Sequence, residues 1–343
     1  MSQSDRQRIA FTGCGWVTPF AHGTIREVLQ AAPDMERPQR GDRPFWPVPE
    51  QWREHVPHLP NELKRDKGCW ITAIAMEHAC RQAGIQIASL DPVRVGFILG
   101  CELAGQLGMI DFANEVRRQS ARFVSPIHFP QTVGNYISGA IARGFHMRGP
   151  NLTIAGGPAS SLDAIVEGAE LLSQGTVDFV LAGGVDVLSQ AVTESFAGDD
   201  ALVGEAACLF VLERIAHAAE RGAPPLAVMD RAVQSTGIND APVDPAEKVI
   251  STAGFRREGA ICIRDWIGRC FGAEGAAAVA AAIGAASGER VPFACGEKES
   301  RPSTRTFYAT DQLPGDGSLS ASVFATDDSG RQTRLDLSME PTA

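Results

Sequence analysis

The sequence predicts an α/β fold in which helices cover a sheet of mostly parallel strands. The chain has 343 residues, of which 44% are hydrophobic, and this is enough to bury a large core. Short and almost continuous apolar runs that end at glycine are typical of strands covered on both faces. Amphipathic helical segments alternate with these runs, as they do in strand–helix–strand units.

The first part of the chain contains two predicted strands and one predicted helix. Ile9–Thr12 has the apolar character of a buried strand and is expected to end at the turn Gly13-Cys14-Gly15. Residues 31–66 are rich in proline, which disfavours regular structure, so we expect a surface excursion there. Lys67–Gly84 has the periodicity of a helix that stops at glycine, and Val95–Gly100 predicts the second strand.

The middle of the chain repeats this alternation. Leu152–Ala155 predicts a strand, and apolar residues at helical spacing predict a helix over residues 159–173. Two further strands are expected at Phe179–Ala182, which would end at Gly183-Gly184, and at Ala207–Glu213.

The remaining chain predicts a second and smaller α/β half, so we place the boundary between residues 1–215 and 216–343. Its predicted elements are a helix at Ala216–Arg221, a strand at Leu226–Val233, a helix at Ala273–Ala286, and a closing hairpin formed by Ser318–Ala325 and Arg334–Ser338. The helix at Ala273–Ala286 is small and apolar all round, which is typical of a fully buried helix.

Composition argues against several classes of function. A net charge of −10 disfavours nucleic acid as a partner, because phosphate binding depends on clustered Lys and Arg. The eight cysteines form no CxxC pair and the N-terminus is polar, so we expect free thiols, no metal and a cytoplasmic location. The longest apolar run, Ala276–Ala286, has about half of the roughly 20 residues that a membrane span needs. We therefore expect no membrane segment.

Several blocks of sequence, in the same order, resemble the β-ketoacyl synthase family of the thiolase fold. These blocks are IAFTGCGWVTP at Ile9–Pro19, VGFILG at Val95–Gly100, GPNLTI at Gly149–Ile154, SSLDAI at Ser160–Ile165, LAGG at Leu181–Gly184 and GEAAC at Gly204–Cys208. The resemblance covers most of residues 8–290. It implies a layered α-β-α-β-α architecture with two similar α/β halves, of which the second is shortened here.

In the resembling family, a cysteine at the N-terminus of a buried helix accepts the acyl group, since the helix terminus favours a thiolate. The corresponding turn reads AGGPASS over Ala155–Ser161, and Pro158 lines up with that cysteine. Proline has no nucleophilic side chain, but it suits the first turn of a helix, where its missing N–H would be unpaired anyway. The turn is expected to keep its architecture without its chemistry.

The two histidines of the family also lack counterparts. All seven histidines lie at or before His217, whereas both family histidines belong after it. Arg269 lines up with one of them and Arg264 with the family's lysine, while residues 244–259 contain no recognisable counterpart of the other. Arginine stays protonated at neutral pH and cannot act as a neutral base. The final glycine-rich loop survives at best as Gly315-Asp316-Gly317.

Other residues with chemical potential also have structural interpretations. A serine nucleophile at Ser160 would need a base within about 3 Å, and a helix residue with a capping role explains both Ser160 and Ser161. Asp186 could ligate a group, although a turn-stabilising carboxylate explains it as well. His128 and His146 suit satisfied core or interface histidines.

Two further groups of side chains also allow a structural interpretation. The cysteines in apolar runs are expected to behave as small hydrophobes; they are Cys101, Cys208 and Cys262. A basic group could face an acidic carrier protein or form a solvated helix face; it consists of Arg117, Arg118 and Arg122.

A partner is expected at the strand that precedes the nucleophile turn. In the resembling family this strand pairs with its counterpart across a two-fold axis, and an unpaired strand would leave a hydrogen-bonding edge open. The interface residues predicted there are Asn151, Leu152, Thr153 and Ile154.

A family member without the cysteine and both histidines resembles the chain-length-factor subunit, a non-condensing partner of an active ketosynthase in polyketide or fatty-acid-like biosynthesis. Bulky side chains at the dimer interface would then limit the acyl chain sterically; the candidates are Phe112, Val116, Phe129, Val133 and Tyr136. No cofactor is expected beyond acyl chains on the phosphopantetheine of an acyl carrier protein. One departure is that aromatic-type chain-length factors carry glutamine at the cysteine position.

Two alternatives stay open. The chain could be an acyltransferase or hydrolase that uses Ser160, or an inert scaffold that binds a carrier protein.

Overall fold

The computed structural model describes residues 8–31, 45–120, 122–195, 203–236, 261–289, 306–312, 319–326 and 331–339. The strands are β1 (Ile9–Val17), β2 (His22–Gly23), β3 (Phe45–Trp46), β4 (Val95–Gly100), β5 (Asn151–Ile154), β6 (Phe179–Asp186), β7 (Val203–Gly204), β8 (Ala206–Arg214), β9 (Ala227–Thr236), β10 (Ile261–Cys262), β11 (Thr306–Gln312), β12 (Leu319–Thr326) and β13 (Arg331–Met339).

The α-helices are α1 (Ile25–Ala31), α2 (Asn61–Lys64), α3 (Lys67–Ala83), α4 (Gln106–Gln119), α5 (Tyr136–Gly144), α6 (Ser160–Ser173), α7 (Gln190–Ser195), α8 (Ile215–Glu220), α9 (Arg264–Ile267) and α10 (Glu274–Ala286). Short 3₁₀ helices cover Glu50–His55, Ile87–Ser89, Pro92–Arg94, Pro126–Thr132 and Phe271–Ala273. Within the proline-rich segment, residues 45–66 thus hold only short elements, as expected.

The main sheet has the strand order β10-β11-β12-β13-β9-β1-β8-β6-β4-β5, with β2 paired to β1. Strand β4 is parallel to β5 and β6, but the other neighbours on this path are antiparallel. The prediction of mostly parallel strands is therefore wrong. Apolar runs indicate that both faces of a strand are buried, whereas strand direction depends on how the chain returns to the sheet.

Helices cover both faces of the part of the sheet formed by β1, β4, β6 and β8. Helices α3 and α5 pack on one face, and α6 and α10 pack on the other. Strands β11 and β12 lie on the far side of α10, so α10 is enclosed between two sheet regions. Its residues from Ala276 to Ala282 have no exposed surface, which confirms the predicted buried helix. In the described residues the layers thus run helix, sheet, helix, sheet.

Two glycine pairs that predict turns lie inside strands. Strand β1 continues through Gly13-Cys14-Gly15, and β6 continues through Gly183-Gly184 to Asp186. The glycines of β1 are required by close approach: a Cβ at Gly15 would lie 1.8 Å from the Ala75 carbonyl oxygen of α3. Here glycine lets a helix backbone pack directly on a strand.

The predicted helices and the closing hairpin agree with the structure in type and position. Helix α3 ends at Gly84, which adopts the left-handed conformation with φ of 66°. Strands β12 and β13 pair as the predicted hairpin. Among the described residues, no helix is both long and apolar enough to cross a bilayer.

We expect Gly15→Ala to destabilise the fold by about 1–3 kcal/mol or more, because the added methyl group would force α3 away from β1. Gly139→Ala in α5 is the matched control, since a Cβ at Gly139 would have no atom within 4 Å. The control is expected to raise stability by about 0.5–1 kcal/mol through helix propensity. Urea denaturation measures both changes, and equal midpoints for Gly15→Ala and the wild type would contradict the prediction.

Candidate functional site

The turn that lines up with the family nucleophile connects β5 to α6. Gly157 has a φ of 74°, which favours glycine, and Pro158 is buried directly after it. The sequence predicts Pro158 within the first turn of the helix, but α6 begins at Ser160, so Pro158 lies two residues before the first helical residue. The helix begins later because Ser160 forms hydrogen bonds with the two preceding glycines and closes a tight turn there.

The Ser160 hydroxyl is buried and makes two hydrogen bonds within this turn. It accepts from the Gly156 N–H at 2.8 Å and donates to the Gly157 carbonyl oxygen at 2.6 Å. A nucleophilic serine needs a base to take its proton. Here the proton is directed at a backbone carbonyl, so this geometry suits a turn-closing residue.

The next polar residues of α6 connect it to the second half of the chain. The Ser161 hydroxyl accepts from the Ala276 N–H at 2.9 Å, in the first turn of α10. Asp163 is 3% exposed and forms an ion pair with Arg331 of β13 at 2.6 Å. Thr333 and Gln234 also donate to its carboxylate. Sequence reasoning missed Asp163, because its partners lie far along the chain.

Asp186 organises the opposite side of the site. One carboxylate oxygen accepts from the Leu103 N–H at 2.8 Å, and the other accepts from the N–H groups of Glu102 and Gly272, each at 2.7 Å. Burial raises the pKa of Asp186 to about 8, although these three bonds act in the opposite direction. Its contacts are those of a turn-stabilising carboxylate.

Glycines allow the site segments to approach one another closely. A Cβ at Gly100, at the end of β4, would lie 2.4 Å from the Ser160 backbone, and one at Gly272 would lie 2.6 Å from the Cys101 backbone. The start of α6 and the 3₁₀ helix Phe271–Ala273 therefore both pack on the end of β4. Burial raises the pKa of the nearby Cys101 thiol to about 12, so this thiol is not a reactive thiolate at neutral pH.

Arg269, at the family's histidine position, lies in the loop before this 3₁₀ helix. Its Nη2 is 3.8 Å from Oε1 of Glu102, and its guanidinium carbon is 4.9 Å from the centre of the Phe271 ring. The arginine thus packs as a cation between a carboxylate and an aromatic ring. The Arg264 side chain, residues 244–259 and Gly315-Asp316-Gly317 lie outside the described part.

The predicted cavity residues form a group near the surface. Phe112 of α4 contacts Phe129, with the ring centres 6.0 Å apart. Phe129 and Val133 are 56% and 39% exposed. The other three predicted cavity residues are partly buried; they are Phe112, Val116 and Tyr136.

The predicted interface strand β5 pairs with β4 alone among the described strands, so its other edge is open. Asn151 and Leu152 are exposed, whereas Thr153 and Ile154 are partly buried. The Thr153 hydroxyl lies 2.6 Å from that of Ser138.

The remaining candidates divide into exposed and buried residues. His128 and His146 are exposed, so the core interpretation of these histidines is wrong; His128 lies 3.1 Å from Glu115. Cys101 and Cys208 are buried and unpaired in disulfides, whereas the Cys262 side chain is outside the described part. The described basic side chains of α4 and its following loop are exposed, as a solvated face would be; they are Arg117, Arg118 and Arg122.

One surface depression of about 300 Å³ was not predicted from the sequence. Three cationic side chains contribute to its lining, which consists of Arg53, Glu54, Asn61, Lys64 and Arg65. Among the described residues, no group of His, Cys, Asp and Glu is arranged to hold a metal ion.

Comparison with known proteins shows similarity to β-ketoacyl synthases. Residues 56–211 match the family described as "Beta-ketoacyl synthase, N-terminal domain". The chain is 25% identical over 252 residues to 3-oxoacyl-acyl-carrier-protein synthase 2 of Coxiella burnetii, which covers 64% of this chain and 61% of that protein. It is also 25% identical over 260 residues to the putative polyketide beta-ketoacyl synthase 1 of Streptomyces virginiae, with coverage of 64% and 60%. The chain is thus similar to β-ketoacyl synthases, and residues 56–211 carry the similarity to their N-terminal domain.

Solved structures confirm the layered, thiolase-like α/β fold of this chain. The ishigamide ketosynthase/chain length factor superposes with a TM-score of 0.73 at 16% identity, covering 98% of this chain and 100% of that chain. The type II polyketide synthase complex AntDE:AntF, an acyl-carrier protein with its ketosynthase bound to the hexaketide, gives 0.69 at 15%, covering 96% and 98%. The first two relatives, in contrast, are matched over only 61% and 60% of their own length.

We expect Asp186→Asn to destabilise the chain by about 1–3 kcal/mol or more, because the amide NH₂ would face backbone N–H groups and leave them unpaired in the core. Asp178→Asn is the control, since Asp178 is 33% exposed and binds Arg94 and Arg214 near the surface. Its expected loss is below about 1 kcal/mol. Denaturant midpoints test both variants, and a smaller loss for Asp186→Asn than for the control would contradict the assigned role.

Proposed function

We propose that the chain is a non-condensing ketosynthase-like subunit of the chain-length-factor type. It pairs with an active β-ketoacyl synthase in polyketide or fatty-acid-like biosynthesis and shapes the acyl cavity of the pair. The observation that carries this proposal is the buried proline at the position that aligns with the family nucleophile, in a turn that the Ser160 hydroxyl closes with two hydrogen bonds.

The described residues of the site offer no means of condensation. Pro158 cannot hold an acyl group, and Arg269 is a permanent cation that packs against Glu102 and Phe271. The neighbouring Cys101 thiol stays protonated, and the Ser160 proton is engaged with a carbonyl oxygen. These features favour a partner role over the alternative of a Ser160 acyltransferase or hydrolase.

The open edge of β5 supports pairing with a second ketosynthase-like chain. Apolar side chains with large exposed fractions support the same interpretation, because exposed apolar patches are typical of protein interfaces; they include Met109 of α4, Phe129, Val133 and Leu152 of β5. An open strand edge offers backbone N–H and C=O groups to a matching strand. The ishigamide structure is itself a ketosynthase/chain length factor, and that likeness supports the same kind of partner here.

A carrier protein would deliver the acyl chain on its own phosphopantetheine, so the subunit needs no bound cofactor. The cationic depression at Arg53, Lys64 and Arg65 offers positive charge to an acidic carrier, and it is an alternative to the exposed arginines near the end of α4. The AntDE:AntF structure holds an acyl-carrier protein with its ketosynthase, which supports a carrier as partner.

Co-expression with the cysteine-bearing ketosynthase encoded nearest to this chain tests the proposal. We expect a one-to-one complex by size exclusion with light scattering, and products whose length or yield changes when the subunit is present. Leu152→Lys is expected to weaken the complex about tenfold or more, because it places a charge at the apolar edge. Ala219→Lys adds the same charge to exposed α8 and should leave the complex unchanged.

Two results together would support the enzyme alternative. The chain would form no complex with any ketosynthase tested, and an acyl thioester would acylate the chain alone but not its Ser160→Ala variant.

Truncation of the predicted cavity wall separates a cavity-shaping subunit from an inert scaffold. We expect Phe112→Ala and Phe129→Ala to lengthen the main product, because each removes an aromatic ring from the proposed barrier. Phe123→Ala is the control, since Phe123 is 70% exposed and is not among the predicted wall residues. Mass spectrometry of the products measures the length, and unchanged lengths with an intact complex would favour the scaffold.

A further inference from the structure

Three histidines form a continuous chain at the surface, away from the ketosynthase site. Nδ1 of His55 lies 2.7 Å from Nε2 of His22, and Nδ1 of His22 lies 2.9 Å from Nε2 of His78. Nδ1 of His78 in turn lies 2.6 Å from a guanidinium nitrogen of Arg81. The chain joins three elements: the 3₁₀ helix Glu50–His55, strand β2 and helix α3.

Arg81 determines the direction of every hydrogen bond in this chain. A guanidinium group only donates, so Nδ1 of His78 accepts and the proton of neutral His78 is on Nε2. That N–H then donates to Nδ1 of His22, which places the proton of His22 on Nε2. The Nε2–H of His22 donates to His55 in the same way. All four groups are satisfied when the three rings are neutral.

One added proton would break this pattern, because some link would then have two N–H groups facing each other. The groups that face His22 are His55, His78 and Arg81, with Glu27 of α1 as the nearby carboxylate. Burial is the largest cause that lowers the pKa of His22, and His55 and Arg81 add to it, whereas Glu27 acts in the opposite direction. Burial, followed by Arg81 and His22, lowers the pKa of His78 to about 4.

We propose that His22, His55 and His78 form a proton-sensitive clamp that holds the segment Glu50–His55 on helix α3 near neutral pH and releases it on acidification. In the released state His22 loses its contact with His55 and part of its burial, so its pKa rises toward the ordinary value near 6.5 and that state binds more protons below pH 6.5. Acidification below pH 6.5 therefore favours release. Trp52, whose ring packs edge-on against His22 at 4.7 Å, would leave with the segment.

The clamp also bears on the cationic depression. Arg53 and Glu54 belong to the clamped segment, and they line the depression together with residues of and next to α2. Release would separate Arg53 from Lys64 and Arg65. This consequence rests on the geometry of the depression and holds whatever ligand binds there.

Hydrogen exchange measured by mass spectrometry tests the clamp in the intact chain. We expect the protection factors of amides in Glu50–His55 to fall about tenfold between pH 7 and 5.5, while those of α3 stay constant. In His22→Gln this pH dependence should disappear. His58→Gln is the matched control, because His58 pairs with Glu77 of α3 at 2.6 Å and lies outside the chain of histidines.

Imidazole nitrogen NMR gives a second test that needs no variant. We expect neutral Nε2–H tautomers for His22 and His78 at pH 7, with both rings still neutral at pH 6. A protonated or Nδ1–H ring for His78 at pH 7, or a segment whose protection is independent of pH in the wild type, would overturn the proposal. Retention of the pH dependence in His22→Gln would overturn it as well.

Discussion

The start of helix α6 is held by three buried polar side chains, and each connects the helix to a different part of the chain. Ser160 closes the turn after β5, Ser161 binds the first turn of α10, and Asp163 binds Arg331 and Thr333 of β13. An unpaired polar group in such a place costs about 1–3 kcal/mol, so these bonds fix how the layers meet. The packing of α10 between the two sheet regions depends on them.

This arrangement explains how the turn before α6 keeps its shape with a proline at position 158. The bonds that define the nucleophile turn are made by Ser160 and the two glycines before Pro158, and none of them needs a side chain at position 158. On the other side, Asp186 holds Glu102, Leu103 and Gly272 through their backbone N–H groups. The bonds that hold these segments therefore do not depend on which side chain stands at position 158.

Two surfaces of the molecule differ in chemistry, since one is apolar and the other carries cations and histidines. Strand β5 has an open edge and exposes Leu152, and helix α4 exposes Met109. An open strand edge offers unpaired backbone N–H and C=O groups to another strand. The segment of residues 50–65 carries the cationic side chains of the depression, and its residue His55 joins the chain of histidines with His22 and His78. The hydrogen bonds of these histidines depend on charge and pH. Helix α3 buries one face against β1 and carries His78 and Arg81 at its partly exposed side.

The sequence by itself determined the position of α3, α6, α10 and most strands of the main sheet, and the proline at position 158, because periodicity and residue identity are local properties. It did not reveal helices α4 and α5. It did not determine strand direction, since apolar runs such as Val95–Gly100 look alike in parallel and antiparallel neighbours. Tertiary structure also decided the role of Gly15. The sequence around it predicts a turn, but in the fold Gly15 lies within β1 and its missing side chain leaves room for the backbone of α3. The Asp163–Arg331 pair and the histidine chain join residues that are distant in sequence, and only folding brings such residues within bonding distance.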